Sequence, residues 1–295
     1  MGYQIIDTKE GSFERRIHLA EDEKGEKVLL EELEMITSWK ALDLVQELRQ
    51  IISQLKKEEK NESILTYQGV ARIKEGFYLI LPYHQGIWEE WTLRKEENIT
   101  LEEMAPVARV MVDALGFISS QEEMAQGFFF TDLVWGGAGE WRVLDPRIRW
   151  VLSPYRSSEE LRKYFIPPER IKDAKWTTQG NLYTIGMSVY HLLTRTFPFP
   201  LERKGETMTA IIREEPVDPR CYRPDLGAEP AMLLRRLLQK DPDSRPGVEK
   251  CRSLLEKIII EGTARALPAN EEEHRRIGEE TLRRREKQRK AIRWR

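Results

Sequence analysis

The 295-residue sequence has little cysteine, little histidine and no long apolar run. Two cysteines cannot form a disulfide framework or a four-cysteine zinc site, and the four histidines show no metal-ligand spacing. No segment approaches the roughly 20 apolar residues of a membrane helix, and the N-terminus lacks the apolar core of a signal peptide. The net charge of −2 excludes attraction to polyanions by bulk charge. These absences predict a cytoplasmic globular protein.

What the sequence does contain is enough apolar residues for a sizeable core, since 40% of the chain is hydrophobic and 33% is charged. Short apolar or alternating runs predict five strands in the first third of the chain. A stripe of apolar residues from Leu44 to Leu55 predicts one helix among those strands. We therefore predict an α+β protein, with a strand-rich unit at 1–83, a mainly helical unit at 84–268 and a charged, basic tail at 269–295.

The periodicity of the helical unit gives further expectations. An apolar stripe through Val107, Met111 and Ile118 predicts a long helix, and Pro106 suits its first turn. Two short strands are predicted on either side of the glycine-rich segment 136–140. Further helical patterns follow, and they cover 181–195, 205–213, 230–239 and 246–261.

Two long strings in this unit resemble a known family. NLYTIGMSVYHLLTRTFPF at 181–199 is similar to the protein-kinase segment written D-x-Y/W-S-x-G-V-x-L-Y-E-L-L-T-G-x-x-P-F. LLQKDPDSRP at 237–246 is similar to L-L-x-x-D-P-x-x-R-P, and PPE at 167–169 stands where the family has A-P-E. The resemblance runs over about residues 3–262 and is weaker in the first third. It implies the bilobal fold of a eukaryotic-type, Ser/Thr-like protein kinase domain.

The resemblance also implies structural roles for three residues. In the family, the glutamate of A-P-E pairs with the arginine of D-P-x-x-R-P, so we expect Glu169 to pair with Arg245. Asn181 replaces an aspartate that supports the catalytic loop in the family. The amide of Asn181 keeps a hydrogen-bond acceptor but carries no charge.

The positions that hold ATP phosphates in the family carry unsuitable residues here. Glu10, Ser12 and Arg15 fall on the three glycines of the phosphate loop, where a Cβ obstructs close approach of the backbone. Glu31 falls on the strand-3 lysine, which reverses the charge that faces the phosphates. The helix residue that pairs with that lysine falls on Leu48. One alternative stays open, since Arg15 stands where kinases called "with no lysine" place their cation.

The catalytic and metal-binding motifs are also altered. A gapless alignment places Gly127 on the catalytic aspartate and Asp132 on the metal-binding asparagine, whereas a competing alignment with a five-residue deletion places Asp132 on the catalytic aspartate. Asp145, Pro146 and Arg147 replace D-F-G. Asp132 and Asp145 are oxygen donors that could share Mg²⁺. The alternative is that both acids end short strands and accept hydrogen bonds from the backbone.

The adenine of a nucleotide would meet the hinge at Pro82 and Tyr83, whose backbone groups could bind a purine. A nucleotide there would lack the lysine and the glycine cradle, so we expect binding to be weak or absent. If the pocket is open, Glu31→Lys should strengthen it. The cofactor expectation is accordingly none that is certain, with ATP and Mg²⁺ as the alternative.

The tail at 281–295 contains eight Lys or Arg residues and one Glu. A solvated helical extension is one interpretation. Attraction to an anionic membrane surface is another, at about 1 kcal/mol per basic residue, with Trp294 suited to the interface. Nucleic acid is disfavoured because no aromatic or recognition-helix pattern accompanies the charge.

These observations favour a pseudokinase, that is, a regulatory or scaffolding module for protein partners whose catalytic residues are not intact. One alternative is an atypical active Ser/Thr kinase that uses Asp132 and Asp145 for Mg²⁺-ATP and Arg15 for the phosphates. Another is a purely structural interaction domain that binds no nucleotide. Nothing in the sequence identifies the partner.

Overall fold

A computed structural model describes ten stretches of the chain. They are residues 2–10, 16–33, 40–58, 60–90, 99–120, 132–135, 140–152, 163–173, 176–199 and 204–261. The chain divides into two compact units. The first comprises Met1–Glu97 and Thr131–Glu160, and the second comprises Asn98–Phe130 and Leu161–Arg295.

The first unit is built on a five-stranded antiparallel sheet in the order β1-β2-β3-β6-β5. A second, three-stranded sheet has the order β4-β8-β7, in which β4 is parallel to β8. The strands are β1 (Tyr3–Glu10), β2 (Arg16–Asp22), β3 (Lys27–Glu32), β4 (Ile64–Leu65), β5 (Gly69–Ile73), β6 (Gly76–Pro82), β7 (Leu133–Trp135) and β8 (Trp141–Leu144). The helices are α1 (Lys40–Leu55), α2 (Gln85–Glu90) and α4 (Pro146–Leu152).

The core of the first unit lies on one face of the larger sheet, because side chains alternate along each strand. The apolar face of α1 packs there, and Leu48 is fully buried in this cluster with Leu29 and Leu79. The next residues along the strands, such as Leu30, Tyr78 and Ile80, form a separate buried layer on the other face. This alternation places the side chain of Glu31 on the same face as α1 and the larger core.

The second unit is helical, as expected. Its helices are α3 (Leu101–Ser120), α5 (Pro168–Asp173), α6 (Thr178–Thr194), α7 (Lys204–Arg213), α8 (Ala228–Leu237) and α9 (Val248–Glu261). The middle of α6 is buried all round, and it contacts both α3 and α8. Close contact with α8 requires a glycine, since a Cβ on Gly186 would lie 2.7 Å from Leu237 Cβ.

The start of α3 corrects one prediction. The helix begins at Leu101, so Pro106 lies inside it rather than in the first turn. The start is set by a capping box, in which Glu103 N donates to Thr100 Oγ1 at 3.2 Å and Thr100 N donates to Glu103 Oε2 at 2.8 Å. The sequence T-x-x-E at 100–103 was therefore the better signal. Among the helices in the stretches given above, none is long and apolar enough to span a bilayer.

Candidate functional site

The segment that follows β8 forms a helix that the sequence analysis did not predict. Asp145 caps the N-terminus of α4, because its Oδ1 accepts from the backbone N of Arg147 at 3.1 Å. Pro146 occupies the first helical position, where a missing N–H costs nothing. The Asp-Pro pair was a readable signal for a helix start. The Asp-Pro-Arg sequence, which stands on the metal motif of the family, thus begins a capped helix.

Arg147 engages the same carboxylate with its side chain. Its Nε donates to Asp145 Oδ1 at 2.9 Å, and its Nη2 donates to Asp145 Oδ2 at 2.8 Å. Its Nη1 reaches Glu58 Oε2 at 2.6 Å, just beyond the end of α1. Burial alone lowers the pKa of Arg147, but the hydrogen bonds and charges of the two acids hold that pKa above its ordinary value. The fully buried Asp145 therefore has a guanidinium as its counter-ion.

Arg149 follows Arg147 by two residues on α4 and lies in the interior of the first unit. Its Nη1 donates to Glu31 Oε1 at 2.6 Å, and its Nε donates to Asp132 Oδ1 at 2.9 Å. The three side chains are only 1–2% exposed. Tyr67 completes the cluster, since its hydroxyl donates to Glu31 Oε2 at 2.7 Å and accepts from Arg149 Nη1 at 3.3 Å. We call Glu31, Tyr67, Asp132 and Arg149 the buried arginine cluster.

The contacts of Arg149 keep its guanidinium protonated. Burial alone lowers the pKa of the guanidinium, but the charges of Glu31 and Asp132 outweigh burial and hold the pKa above its ordinary value. Removing one member of such a buried cluster leaves an uncompensated charge, which typically costs about 3–5 kcal/mol. Arg149 was not among the predicted site residues, because no helix was predicted for the segment after β8.

These contacts test whether the residues fit Mg²⁺ and ATP. Asp132 and Asp145, predicted as metal ligands, each accept hydrogen bonds from a guanidinium. Glu31 is also turned toward Arg149 rather than toward an open site. No group of three or more metal-ligating side chains occurs within the described part of the chain. The arrangement does not fit a bound Mg²⁺-nucleotide. The expected gain in nucleotide binding by Glu31→Lys assumed an open pocket and stays a prediction, and in the structure the Arg149 guanidinium already contacts residue 31.

The hinge residues lie at the end of β6. Pro82 is opposite Val28 in the sheet and has no N–H to offer a purine. The ring of Tyr83 lies 5.7 Å from Lys27 Nζ and packs on the main core. Beyond it, the carbonyl of His84 accepts from Trp88 N at 3.0 Å, at the start of α2. Some of the backbone hydrogen-bonding groups at this hinge are therefore already used within the fold.

Trp88 on α2 ties the hinge region to β1. Its indole is 8% exposed and belongs to the same apolar cluster as Ile17, Leu29 and Leu144. Lys9 Nζ lies 4.6 Å from the centre of the indole and donates to the Trp88 carbonyl oxygen at 2.8 Å. Apolar side chains of the strands that flank the hinge are thus packed against one another and against this indole.

In the second unit, the structure brings together the two residues expected to pair. Arg245 Nη1 donates to Glu169 Oε1 at 2.6 Å, and Arg245 Nη2 donates to Glu169 Oε2 at 2.8 Å. The Arg245 side chain is fully buried. Asn181 is buried in the first turns of α6, and its backbone N donates to Thr177 O at 3.0 Å.

Several predicted positions lie outside the described residues. Arg15 and Gly127 are among them, as are Ser12 of the glycine positions and the basic tail at 281–295. The side chain of Glu10 is likewise not described, although its backbone belongs to β1. The proposals that depend on these positions stay predictions.

Part of the chain is similar in sequence to known protein kinases. The family described as "Protein kinase domain" matches residues 150–255. Serine/threonine-protein kinase pkn3 of Myxococcus xanthus is 33% identical over 84 residues, which are 28% of this chain and 15% of that protein. The probable serine/threonine-protein kinase SCO3848 of Streptomyces coelicolor is 31% identical over 81 residues, which are 28% of this chain and 12% of that protein. The matched segments are thus small parts of much longer relatives.

A solved structure extends the likeness to most of the chain. The crystal structure of Rad53 1–466 in complex with AMP-PNP is similar with a TM-score of 0.63 and 17% sequence identity. The similarity covers 87% of this chain and 65% of that one. Together with the sequence matches, it confirms the predicted α+β fold, with an antiparallel sheet in the N-terminal part and helices in the C-terminal part. The chain contains a protein-kinase-like domain with the protein-kinase fold.

Proposed function

We propose that this domain is a pseudokinase, a regulatory or scaffolding module that does not transfer phosphate. The observation that carries the proposal is the ion pair between Glu31 and Arg149, at 2.6 Å in the interior of the first unit. In the family that the chain resembles, the position of Glu31 usually carries the lysine that holds the phosphates of ATP. Here an acid stands at that position, and its negative charge is already compensated from within the chain.

The state of the two remaining acids supports the same proposal. Phosphoryl transfer needs carboxylates that are available to metal ions, which bridge and neutralise the phosphates. Asp145 accepts three hydrogen bonds from Arg147, one from its backbone and two from its side chain. Asp132 accepts one from Arg149. A metal ion would have to displace these guanidinium contacts, and it would then leave the arginines buried without their acids.

The test is an assay of phosphate transfer by the purified protein. The protein is incubated with labelled ATP, Mg²⁺ or Mn²⁺ and a general protein substrate, and incorporation is compared with that of Asp132→Asn. We expect both proteins to stay at the background level. Robust incorporation that is lost in Asp132→Asn would contradict the proposal and would favour an atypical active kinase.

The partner of such a module is proposed to be a protein, with the basic tail as a second contact. Eight basic residues at 281–295 would favour an anionic membrane surface. Co-sedimentation with vesicles of neutral lipid, or of neutral lipid with phosphatidylserine, compares the full chain with a chain ending at residue 269. We expect binding only by the full chain, only to the anionic vesicles, and weaker at high salt.

A further inference from the structure

The buried arginine cluster presents an unusual set of donors to a single cation. Glu31 and Asp132 contribute carboxylate oxygens, and Tyr67 contributes a hydroxyl oxygen. Both carboxylates are about 1% exposed. Oxygen-only donors of this kind are typical of sites for hard divalent cations such as Mg²⁺ and Mn²⁺. The guanidinium of Arg149 lies where those oxygens converge.

The guanidinium of Arg149 is positioned by a helix whose first turn is held by several contacts. Arg149 is on α4, whose first turn is fixed by the Asp145 cap, by Pro146 and by the Arg147 side chain. Arg147 also anchors this turn to Glu58, beyond the end of α1. Because the helix is held at its start, Arg149 is aimed into the cluster without the loss of much rotational freedom. The contact is therefore well suited to outcompete an ion from solution.

We propose that Glu31, Tyr67 and Asp132 form a cation site whose occupant is the Arg149 guanidinium of the same chain, and that α4 thereby acts as an autoinhibitory element that excludes divalent metal ions. The inference deepens the proposed function and rests on it, since it names what takes the place of the metal. It separates two reasons why such a domain would not bind a divalent metal ion: oxygen donors that are lost, and oxygen donors that are present but occupied.

The experiment removes the occupant and keeps the donors. Arg149→Met has a side chain of similar length without charge, and Arg149→Lys keeps a cation but loses the planar fork. Arg142→Met is the matched control, because Arg142 is a partly exposed arginine of β8 whose contact with Glu140 is 3.7 Å long. Mn²⁺ binding is followed by the paramagnetic resonance of free Mn²⁺, and melting temperature is measured with and without Mn²⁺.

We expect the wild-type chain, Arg149→Lys and Arg142→Met to show no saturable Mn²⁺ binding. Arg149→Met should bind one Mn²⁺ per chain and lose this binding when Glu31→Gln is added. Without metal, Arg149→Met should melt roughly 10 °C below the wild-type chain, with Arg149→Lys between the two. Mn²⁺ should recover part of that loss in Arg149→Met alone, because a ligand of the folded state stabilises it.

Three results would overturn the inference. The first is saturable Mn²⁺ binding by the wild-type chain that Asp132→Asn abolishes. The second is a folded Arg149→Met that binds no Mn²⁺, or an unfolded one whose circular dichroism Mn²⁺ does not restore. The third is an Arg149→Lys chain as unstable as Arg149→Met, which would show that Arg149 acts by packing rather than by charge. None of these results involves phosphate transfer, so the pseudokinase proposal stands or falls separately.

Discussion

Among the described residues, each of the two units buries one arginine, and the two arginines differ in what surrounds them. Arg245 in the second unit faces one carboxylate, that of Glu169. Its other N–H groups donate to backbone carbonyls, including those of Gln239 and Gln179, each at 2.8 Å. The guanidinium also lies 5.0 Å from the ring centre of Tyr183. Arg149 in the first unit instead contacts two carboxylates and a tyrosine hydroxyl.

The pair of Arg245 and Glu169 is structural, whereas the proposal assigns to Arg149 the place of a bound cation. Arg245 and Glu169 balance each other in charge, and the carbonyl contacts tie the arginine to the chain around it. Arg149 joins acids that stand on two ligand positions of the kinase resemblance, those of the phosphate-binding lysine and the metal-binding asparagine. The helical unit therefore contains the ion pair that the resemblance implies. In the strand-rich unit, the cation that contacts residue 31 of β3 comes from α4.

The largest expected effect comes from reversing the charge at position 31. Glu31→Lys would bring two buried cations together, and like charges about 4 Å apart cost about 4 kcal/mol at an effective dielectric of 20. The favourable contact with Arg149 is lost as well, so we expect the variant not to fold. Urea denaturation followed by circular dichroism measures this.

The control and the rescue for that variant are both available in the chain. Glu32→Lys changes the adjacent residue, which is 22% exposed and contacts Arg16 at 3.7 Å and His18 Nε2 at 3.3 Å, and it should cost about 1–2 kcal/mol, less than Glu31→Lys. The double variant Glu31→Lys, Arg149→Glu should recover part of the stability, since opposite charges again face each other at positions 31 and 149, although the new carboxylate also faces that of Asp132. A stable single variant would mean that Arg149 does not hold residue 31.

Loss of Arg245 should be the next largest effect. Arg245→Met leaves the Glu169 carboxylate without its partner and removes donors from the carbonyls of Gln239 and Gln179, so unfolding should become about 3–5 kcal/mol easier. The matched control is Arg252→Met, because Arg252 also pairs closely, with Asp113 at 2.7 Å, but is 28% exposed. That change should cost at most about 1 kcal/mol. Equal losses in the two variants would show that burial does not distinguish the pairs.

A smaller effect is expected from packing in the helical unit. Gly186→Ala would place a Cβ 2.7 Å from Leu237 Cβ, so α6 and α8 would have to separate slightly. Overpacking of this kind costs about 1–3 kcal/mol. Gly247→Ala is the control, because a Cβ there meets no atom within 4 Å. Thermal melting of the two variants tests the difference, and a larger loss in Gly247→Ala would contradict the described packing.

The smallest expected effect depends on pH and compares two aspartates that each pair with an arginine two residues away, Asp218 with Arg220 and Asp225 with Arg223. Burial alone raises the pKa of Asp218, but hydrogen bonds from the Arg220 side chain and backbone outweigh it and hold the pKa below its ordinary value. The side chain of Asp218 is 4% exposed, whereas that of Asp225, beside Arg223, is 52% exposed.

A carboxyl whose pKa is lowered by folding stabilises the protein above its unfolded pKa of about 3.9, and this contribution is lost as the pH falls through the folded value. Asp218→Asn should therefore cost about 1–2 kcal/mol near neutral pH, and the cost should shrink in acid. Asp225→Asn should change little at either pH. Unfolding free energies measured over a pH series decide this, and a pH-independent cost for Asp218→Asn would contradict it.

The contrast between the two arginines also explains how far the sequence could be read. The ion pair of the helical unit was predictable because the strings PPE and DPDSRP resemble those of protein kinases, and that resemblance implied that Glu169 pairs with Arg245. The resemblance likewise placed Glu31 at the end of the third strand, and the apolar stripe of α1 included Leu48, which is buried in the core. Such patterns report local periodicity, which a single sequence contains.

The partner of Glu31 was not predictable in the same way. Residues 31 and 149 are 118 positions apart, and no periodicity links β3 to the segment after β8. The resemblance itself was misleading at this point, since it presented Asp145-Pro146-Arg147 as an altered metal motif rather than as the start of a helix. Reading the Asp-Pro pair as a helix cap would have predicted α4, but the burial of Arg149 depends on tertiary packing that the sequence does not encode locally.

The most direct test of the central claim, that internal arginines take the place of nucleotide and metal, is a calorimetric titration of the wild-type chain with ATP. It is run without metal, with Mg²⁺ and with Mn²⁺. Because Glu31, Asp132 and Asp145 already contact guanidinium groups, we expect no saturable heat under any of the three conditions. Saturable ATP binding that requires the metal and disappears in Asp132→Asn would contradict the claim.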